Sequence, residues 1–207
     1  MEREGQRPSI RVFKKDWMEK CTHVHPITPL VVWVPIISLL LWHSLMVLQL
    51  PIRVSVGLGI IALTVWSLME YVLHRFVFHF DNDWALVKRL HFIIHGLHHD
   101  DPQDATRLVM PPVASLAIGS ILFLAFRALL GGAWVEPFFA FFLVGYLCYD
   151  YIHYSVNHFT QRTRLGKMLK QSHMTHHYVK PDTRWGVSSP LWDYVFGTLE
   201  APKEVTE

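Results

Sequence analysis

Residues 29–73 read PLVVWVPIISLLLWHSLMVLQLPIRVSVGLGIIALTVWSLMEYVL, and this stretch determines the class of fold. The part up to residue 50 has no charged residue, and the part from residue 52 has only Arg53 and Glu70. Each part has about the 20 residues that an α-helix needs to cross a hydrocarbon core of about 30 Å. Because only Pro51 separates them, the sequence predicts two transmembrane helices, about 29–50 and 52–73, that form an antiparallel hairpin.

Two further apolar segments follow, at about 112–130 and 138–152, and the turn GGAWVEP (131–137) joins them into a second predicted hairpin. The whole chain of 207 residues is 51% hydrophobic and 17% charged, which is typical of a membrane protein. Its net charge of +2 gives no indication of a nucleic-acid partner. The two cysteines, Cys21 and Cys148, predict neither a disulfide framework nor a thiolate metal site.

The predicted domain organisation is a basic arm (1–28), one membrane domain (29–200) and a short tail (201–207). No cleaved signal peptide is expected, because the opening is polar and basic. Of the 19 Lys and Arg residues, 17 fall in the arm, in the insert 74–111 or after residue 153. The positive-inside rule therefore predicts cytosolic termini. The expected fold is an all-α integral membrane protein with four transmembrane helices in two hairpins and a cytosolic helical cap.

The histidines are the residues that indicate a function. Ten of the 14 fall into four clusters, HRFVFH (74–79), HGLHH (95–99), HYSVNH (153–158) and HMTHH (173–177). In H-x-x-H-H, positions i, i+3 and i+4 share one helix face. Neutral imidazole is a common ligand of transition metals, and so many histidines on one side of a membrane predict a dimetal site. The predicted metal ligands are His74, His79, His95, His98, His99, His153, His158, His173, His176 and His177.

Two of these clusters do not fit a regular helix. His74 and His79 are five residues apart, about 140° around an α-helix, so they share a face only if the helix ends or bulges between them. In HYSVNH the position that faces His153 is Asn157, while His158 is turned away. We predict that His158 is a ligand through a local distortion, with Asn157 as an orienting group or a weak ligand, and the choice between them stays open.

Other polar residues near the clusters have alternative interpretations. His23 and His25 are expected in solvent, His43 in a hydrogen bond to a neighbouring helix, and His91 in a role that orients His95. Three carboxylates, Asp100, Asp101 and Asp104, could accept from the free N–H of metal-bound imidazoles, although capping and solvation explain them equally well. Glu70, one turn before His74 and near the membrane, is costly unless paired, so it could have the same role.

Six segments resemble the fatty acid hydroxylase and sterol desaturase superfamily, and within it the fatty acid 2-hydroxylases. They are EYVLHRFVFH (70–79), HFIIHGLHHDDP (91–102), RLVMPP (107–112), YDYIHY (149–154), SHMTHH (172–177) and GVSSPLWDYVFGT (186–198). In that branch the third cluster is usually HYxxHH, so Asn157 departs from the pattern. This departure leaves the ligand on that helix uncertain.

The resemblance implies a membrane-bound, O2-dependent hydroxylase that acts at C2 of a fatty acyl chain in a free acid, an acyl-CoA or a ceramide. It implies two iron ions, since zinc has no redox chemistry, although recombinant protein could hold zinc. It also implies a separate electron donor of the cytochrome b5 or ferredoxin type. Tyr149 and Asp150 are the candidate catalytic residues, which would orient a ligand or touch substrate. Four residues of the last segment would form a cap over the site: Ser188, Ser189, Trp192 and Asp193.

Two alternatives remain from the sequence alone. A sterol or carotenoid oxidase or desaturase of the same superfamily would use the same histidines. A metal transporter or sensor would place ligands along a path through the membrane, and His43 is the one histidine at mid-span. The location would be the endoplasmic reticulum in a eukaryote and the inner membrane in a bacterium.

Overall fold

The computed structural model describes residues 9–80 and 83–200, so the whole predicted tail and the start of the arm lie outside the described residues. Within the described ranges every regular element is helical. The α-helices are α1 (Asp16–Lys20), α2 (Thr28–Trp42), α3 (Ile52–Leu73), α4 (Ala85–His91), α5 (Leu97–Asp100), α6 (Pro112–Leu130), α7 (Val135–His158), α8 (Arg164–Tyr178) and α9 (Leu191–Val195). Three π-helical turns interrupt or extend them, at His43–Val47, His74–Phe78 and Phe92–Gly96.

Four helices are long and apolar enough to cross a membrane, namely Thr28–Val47, Ile52–Phe78, Pro112–Leu130 and Val135–His158. The predicted all-α fold with four such helices is confirmed. The last of them extends beyond the predicted 138–152, because the polar residues at its end continue the helix to His158. The second extends beyond the predicted residue 73 through the π-helical turn that begins at His74.

Helix α7 is the centre of the bundle. In the most apolar stretch of α7, 61% of the residues are buried inside the protein, compared with 11–28% in the other three spans. It packs against α2, α3 and α6, and these contacts dominate the bundle. Short links join the two helices within each predicted hairpin, as expected. However, α2 and α3 pack mainly on α7 and far less on each other.

Glycines allow the closest approaches between the spans. A Cβ on Gly59 would lie 2.8 Å from Cδ2 of Phe141, and one on Gly145 would lie 2.6 Å from Cγ of Trp66. Both contacts join α3 to α7. A Cβ on Gly119 of α6 would lie 2.5 Å from Cη2 of Trp33 on α2. Small residues at such contacts let helix backbones pack closely in a bilayer, where close packing stabilises helix association.

The cap forms from the insert between α3 and α6 and from the chain after α7. Helices α4 and α5 with their π-helical turn come from the insert, and α8 and α9 come from the chain after α7. Residues 9–27 lie against this cap, where Val24 N–H donates to the carbonyl oxygen of Thr106 at 2.7 Å. The cap therefore gathers the ends of α3 and α7 with helices that carry histidines.

Candidate metal centre

Nine of the ten predicted ligands gather into two groups in which one ligand atom from each residue lies within 4.8 Å of every other. The first group is His74, His79, His95, His99 and His176. The second group is His98, His153, His173 and His177. One group of five imidazoles and one of four match the needs of two metal ions.

A π-helical turn resolves the spacing of His74 and His79. The turn His74–Phe78 closes i→i+5 hydrogen bonds, so one turn takes more residues than in an α-helix. Residues five apart then approach the same face, and the ring centroids of His74 and His79 lie 5.1 Å apart. The sequence predicted that His74 and His79 share a face only if the helix ends or bulges between them, and the π-helical turn is such a bulge.

Each H-x-x-H-H triplet contributes to both groups. His95 and His99, an i, i+4 pair, belong to the first group, while His98 belongs to the second. The triplet on α8 does the reverse, since His173 and His177 belong to the second group and His176 to the first. The two groups therefore share their helices, and the stacked rings of His99 and His177, 4.1 Å apart, lie at their junction.

Distances between ring nitrogens fit shared metal coordination. Nε2 of His95 lies 3.0 Å from Nε2 of His99, and Nε2 of His98 lies 2.8 Å from Nε2 of His153. Two nitrogens that bind one metal at about 2.1 Å and at a right angle lie about 3.0 Å apart. The donor set of clustered, buried imidazoles therefore fits transition-metal ions.

Electrostatics keep these rings neutral. Burial, and then the charge on neighbouring imidazoles, lowers the pKa of His79 to about 3 and that of His99 to about 4. The same two causes lower the pKa of His98 and of His173 well below the usual value. At neutral pH the ring nitrogens therefore have free lone pairs, and a metal does not have to displace a proton from an imidazolium.

Backbone carbonyls orient two rings of the first group. Nδ1–H of His74 donates to the carbonyl oxygen of Trp185 at 2.5 Å, and Nδ1–H of His176 donates to that of Thr183 at 2.8 Å. Because a carbonyl oxygen can only accept, the proton must be on Nδ1, and Nε2 is left free for a metal. The sequence had suggested carboxylates for this role. Asp104 accepts instead from Thr106 in its own loop.

Two buried carboxylates hold the loop that carries these carbonyls. Glu70 accepts from the backbone N–H of Val187 at 2.8 Å and of Ser188 at 2.7 Å, and also from the Ser188 hydroxyl. Asp193 accepts from the backbone N–H of Trp185 at 2.8 Å. Ser188 and Asp193 therefore fix the loop beside the site. Sequence reasoning missed Trp185 and Thr183, because a backbone acceptor has no side-chain pattern.

The other two residues proposed for the cap act locally or on α3. Oγ of Ser189 accepts from Leu191 N–H at 3.2 Å, at the start of α9. Nε1–H of Trp192 donates to Oγ of Ser67 at 3.0 Å. Neither residue belongs to the metal groups.

Asn157 and His158 have different surroundings at the end of α7. Nδ2 of Asn157 donates to the carbonyl oxygen of His153 at 2.9 Å and lies 3.2 Å from Nε2 of His173. His158 belongs to neither group, and its ring lies 4.6 Å from that of Tyr154. The structure therefore places Asn157 beside the second group, and it does not bring His158 to either group.

A cavity of about 660 Å³ leads from the apolar bundle to the histidines. Its walls come from α2, α3, α6 and α7 and from parts of residues 13–22, 93–97 and 107–111. His95, His98 and His153 lie at its polar end. Both candidate catalytic residues line it. Asp150 is 3% exposed, and its Oδ2 has no hydrogen-bond partner among the described residues. An elongated apolar ligand in this cavity would have one end beside the second histidine group.

A second cavity, of about 430 Å³, reaches the first group from the opposite, polar side. His79, His95 and His99 line it together with Lys88 and Asp100. His91 also lines it, and the ring of His91 lies 6.3 Å from that of His79. His43 lies far from this site, and its Nδ1–H donates to Oε2 of Glu136 on α7 at 2.8 Å, which is the expected interhelical contact.

Comparison with known proteins identifies the family. The sequence model of the fatty acid hydroxylase family matches residues 59–198, which include all the histidines of both groups. The chain belongs to the fatty acid hydroxylase family. The solved structure of full-length scs7p, in which only the hydroxylase domain is visible, matches this chain with a TM-score of 0.85 and 34% identity. That match covers 91% of this chain and 71% of the other.

Curated relatives of this chain come from animals, plants and yeasts. A fatty acid 2-hydroxylase of Macaca fascicularis is 35% identical over 92% of this chain and 56% of the relative. A dihydroceramide fatty acyl 2-hydroxylase of Arabidopsis thaliana is 34% identical over 93% of this chain and 81% of the relative. The chain thus spans little more than half the length of the macaque protein and most of the length of the plant protein.

Proposed function

We propose that this chain is a membrane-bound hydroxylase that uses O2 to add a hydroxyl group at C2 of a fatty acyl chain. The observation that carries the proposal is the apolar cavity of about 660 Å³ that ends at His98 and His153 of the second histidine group. A fatty acyl chain in this cavity would place its polar end, and so its C2 carbon, beside the metal centre. The names of the macaque and plant relatives describe this same position of attack.

The nine grouped histidines would hold two metal ions, and iron is the metal we expect for activity. Bound iron would supply the redox chemistry that activates O2 for attack on a C–H bond, which zinc lacks. The chain itself binds and orients the acyl chain, excludes water with the apolar walls, and keeps the imidazoles neutral. The carbonyl oxygens of Trp185 and Thr183 fix the rings of His74 and His176.

Tyr149 and Asp150 are the residues that we assign to contact substrate. Both line the cavity one turn before His153, at the depth where the head of an acyl chain would lie. The unpartnered Oδ2 of Asp150 would accept a hydrogen bond from an N–H or O–H group of the substrate. Such a bond would fix the position of C2 relative to the metal centre.

The proposed topology has both termini and the metal centre on the cytosolic side, with residues 29–200 as one domain. The distribution of Lys and Arg supports this orientation. Electrons would come from a separate protein of the cytochrome b5 or ferredoxin type. The polar cavity beside His79 and Lys88 provides an approach to the metal centre from the aqueous side.

The test is lipid analysis of cells that express the wild-type chain with iron supplied. We expect 2-hydroxy acyl lipids with the wild type and none with His98→Ala or His176→Ala. His25→Ala is the matched control, since this exposed histidine lies outside both groups and should leave the product unchanged. Altered sterols without 2-hydroxy acyl products would assign the chain to a sterol-modifying reaction instead, and metal-dependent uptake into vesicles would make it a transporter.

A further inference from the structure

Residues 186–199, GVSSPLWDYVFGTL, form a segment after the metal-binding helices with an unusual distribution of charge. Its one charged residue, Asp193, is 0% exposed and points into the protein. The Asp193 carboxylate accepts from the backbone N–H of Trp185 and of Gly186, both at 2.8 Å, and from the Thr198 hydroxyl at 2.7 Å. The outer surface of the segment therefore has no charge.

The outer surface of this segment is instead apolar and exposed. Tyr194 is 80% exposed, Val195 56%, Phe196 51% and Leu191 49%. Four large apolar side chains this close together form a patch of the kind that contacts lipid or another protein. The position of the segment along α3 decides between these two.

Three contacts place the segment beside the transmembrane part of α3. Trp192 Nε1–H donates to Oγ of Ser67 at 3.0 Å. The rings of Tyr71 and Phe196 stack with centroids 5.2 Å apart, and the hydroxyls of Tyr71 and Thr198 lie 3.1 Å apart. The segment thus follows the stretch of α3 between Ser67 and Tyr71.

Helix geometry gives the depth of this contact. Ser67 is 15 residues after Ile52, the start of the span, which is about 22 Å along an α-helix. A hydrocarbon core is about 30 Å thick, so Ser67 lies inside it and Tyr71 lies near its boundary. On the same face of α3, two turns and one turn deeper, Ile60 is 63% and Leu63 is 40% exposed. The apolar patch of the segment continues this lipid-facing surface.

We propose that residues 190–196 form a re-entrant element whose outer face inserts into the acyl chains of the bilayer, in the leaflet next to the metal centre. This conclusion is independent of the chemistry assigned to the centre. It changes the predicted topology, because the chain after α7 returns into the membrane at α9. Through Asp193, the inserted element also holds Trp185, whose carbonyl oxygen orients His74.

Site-directed spin labelling of the full-length chain in phosphatidylcholine vesicles tests the proposal. Both native cysteines are free, so Cys21→Ser and Cys148→Ala give a background without thiols. A label at Tyr194→Cys disturbs little, because that side chain is the most exposed of the patch. We expect collisions with O2 to be frequent and collisions with a water-soluble nickel chelate to be rare, as for a label at Ile60→Cys.

Val179→Cys is the matched control. Val179 is 69% exposed and apolar, but it follows α8 beside the charged Lys180, so its label should collide freely with the nickel chelate. A label at Tyr194→Cys that behaves like the one at Val179→Cys overturns the proposal. A label that neither reagent reaches also overturns it, because the patch would then be covered by protein. Retention of wild-type secondary structure by circular dichroism shows that each labelled variant is folded.

Discussion

Glu70 near the end of α3 and His74, one turn later at the start of the π-helical turn, contact two points of the same loop. Glu70 accepts from the backbone N–H of Val187 and Ser188, and His74 donates to the carbonyl oxygen of Trp185. The orientation of the His74 ring therefore depends on a carboxylate that acts through the loop. Glu70 is thus a positioning residue for the first histidine group.

Removal of the Glu70 carboxylate should weaken metal binding. Glu70→Ala leaves the buried N–H of Val187 and the part-buried N–H of Ser188 without an acceptor. An unsatisfied buried N–H costs about 1–3 kcal/mol. Loss of a group that orients a metal-binding histidine typically lowers metal affinity by 10–100-fold. We expect a loss of affinity in that range at the first histidine group. Metal titration with the purified protein measures it.

Glu70→Gln distinguishes positioning from simple packing. The amide keeps one oxygen that can accept from Val187 and Ser188, so it should restore most of the affinity that Glu70→Ala loses. Equal metal affinity in Glu70→Ala and the wild type would show that the loop does not need Glu70 to hold Trp185.

The number of metals bound by variants at the end of α7 tests the ligand set. His153 belongs to the second group, so His153→Ala should lower the metal content from two ions per chain toward one. His158 belongs to neither group, and His158→Ala should keep two ions. Elemental analysis after dialysis measures both. Loss of an ion from His158→Ala would restore the ligand role that its position in HYSVNH first suggested.

Much of the site follows from the sequence, and the rest depends on backbone geometry. The apolar segments fix the spans, and the histidine clusters that follow α3 and α7 fix the end of the bundle where the centre forms. The assignment of His98 and His99 to different groups could not be predicted, because the residues of H-x-x-H-H share one helix face and their spacing does not show which group each ring joins. The π-helical turn at His74 and the carbonyl acceptors of Trp185 and Thr183 leave no pattern in side-chain type. The packing of α2 mainly on α7 likewise depends on shape rather than hydropathy.

The contact between Gly119 and Trp33 should control which acyl chains fit, if the proposed function is correct. Both residues line the cavity. Gly119 is seven residues after Pro112, the start of α6, which is about 10 Å along the helix. A Cβ at Gly119 would lie 2.5 Å from the Trp33 ring, so Gly119→Ala must displace this ring. Because Tyr146 packs against the ring from another side, we expect the displacement to narrow the cavity.

The expected result for Gly119→Ala is a shift of the product toward shorter acyl chains. Lipid analysis after feeding of fatty acids of graded length measures the shift. Gly59→Ala is the matched control, since its Cβ would displace Phe141, which does not line the cavity. A similar loss of activity at every chain length in both variants would attribute the effect to destabilised helix packing and contradict the prediction.

Acid should release the segment before α2 from the cap. Glu19 accepts from the backbone N–H of Val12 at 3.0 Å and of Phe13 at 2.7 Å, and it pairs with Arg107. Burial alone would raise the pKa of Glu19, but these donors and the charge of Arg107 outweigh it and lower the pKa below the usual value. A lowered pKa means that the contact is fully formed above the unfolded-state pKa of about 4.3, and is lost as the pH falls through the lower folded-state value.

A spin label on Cys21, in a chain with Cys148→Ala, reports this release because Cys21 directly follows α1. We expect constant label mobility from pH 7 to about pH 5 and a rise below about pH 4. Glu19→Gln should make the label mobility independent of pH, since the amide does not titrate in this range. The other titratable groups here are His23, which lies 3.8 Å from Glu19, and Asp104, which pairs with Arg107 at 3.6 Å. A rise in label mobility below about pH 4 that persists in Glu19→Gln would assign the release to another group and contradict the role of Glu19.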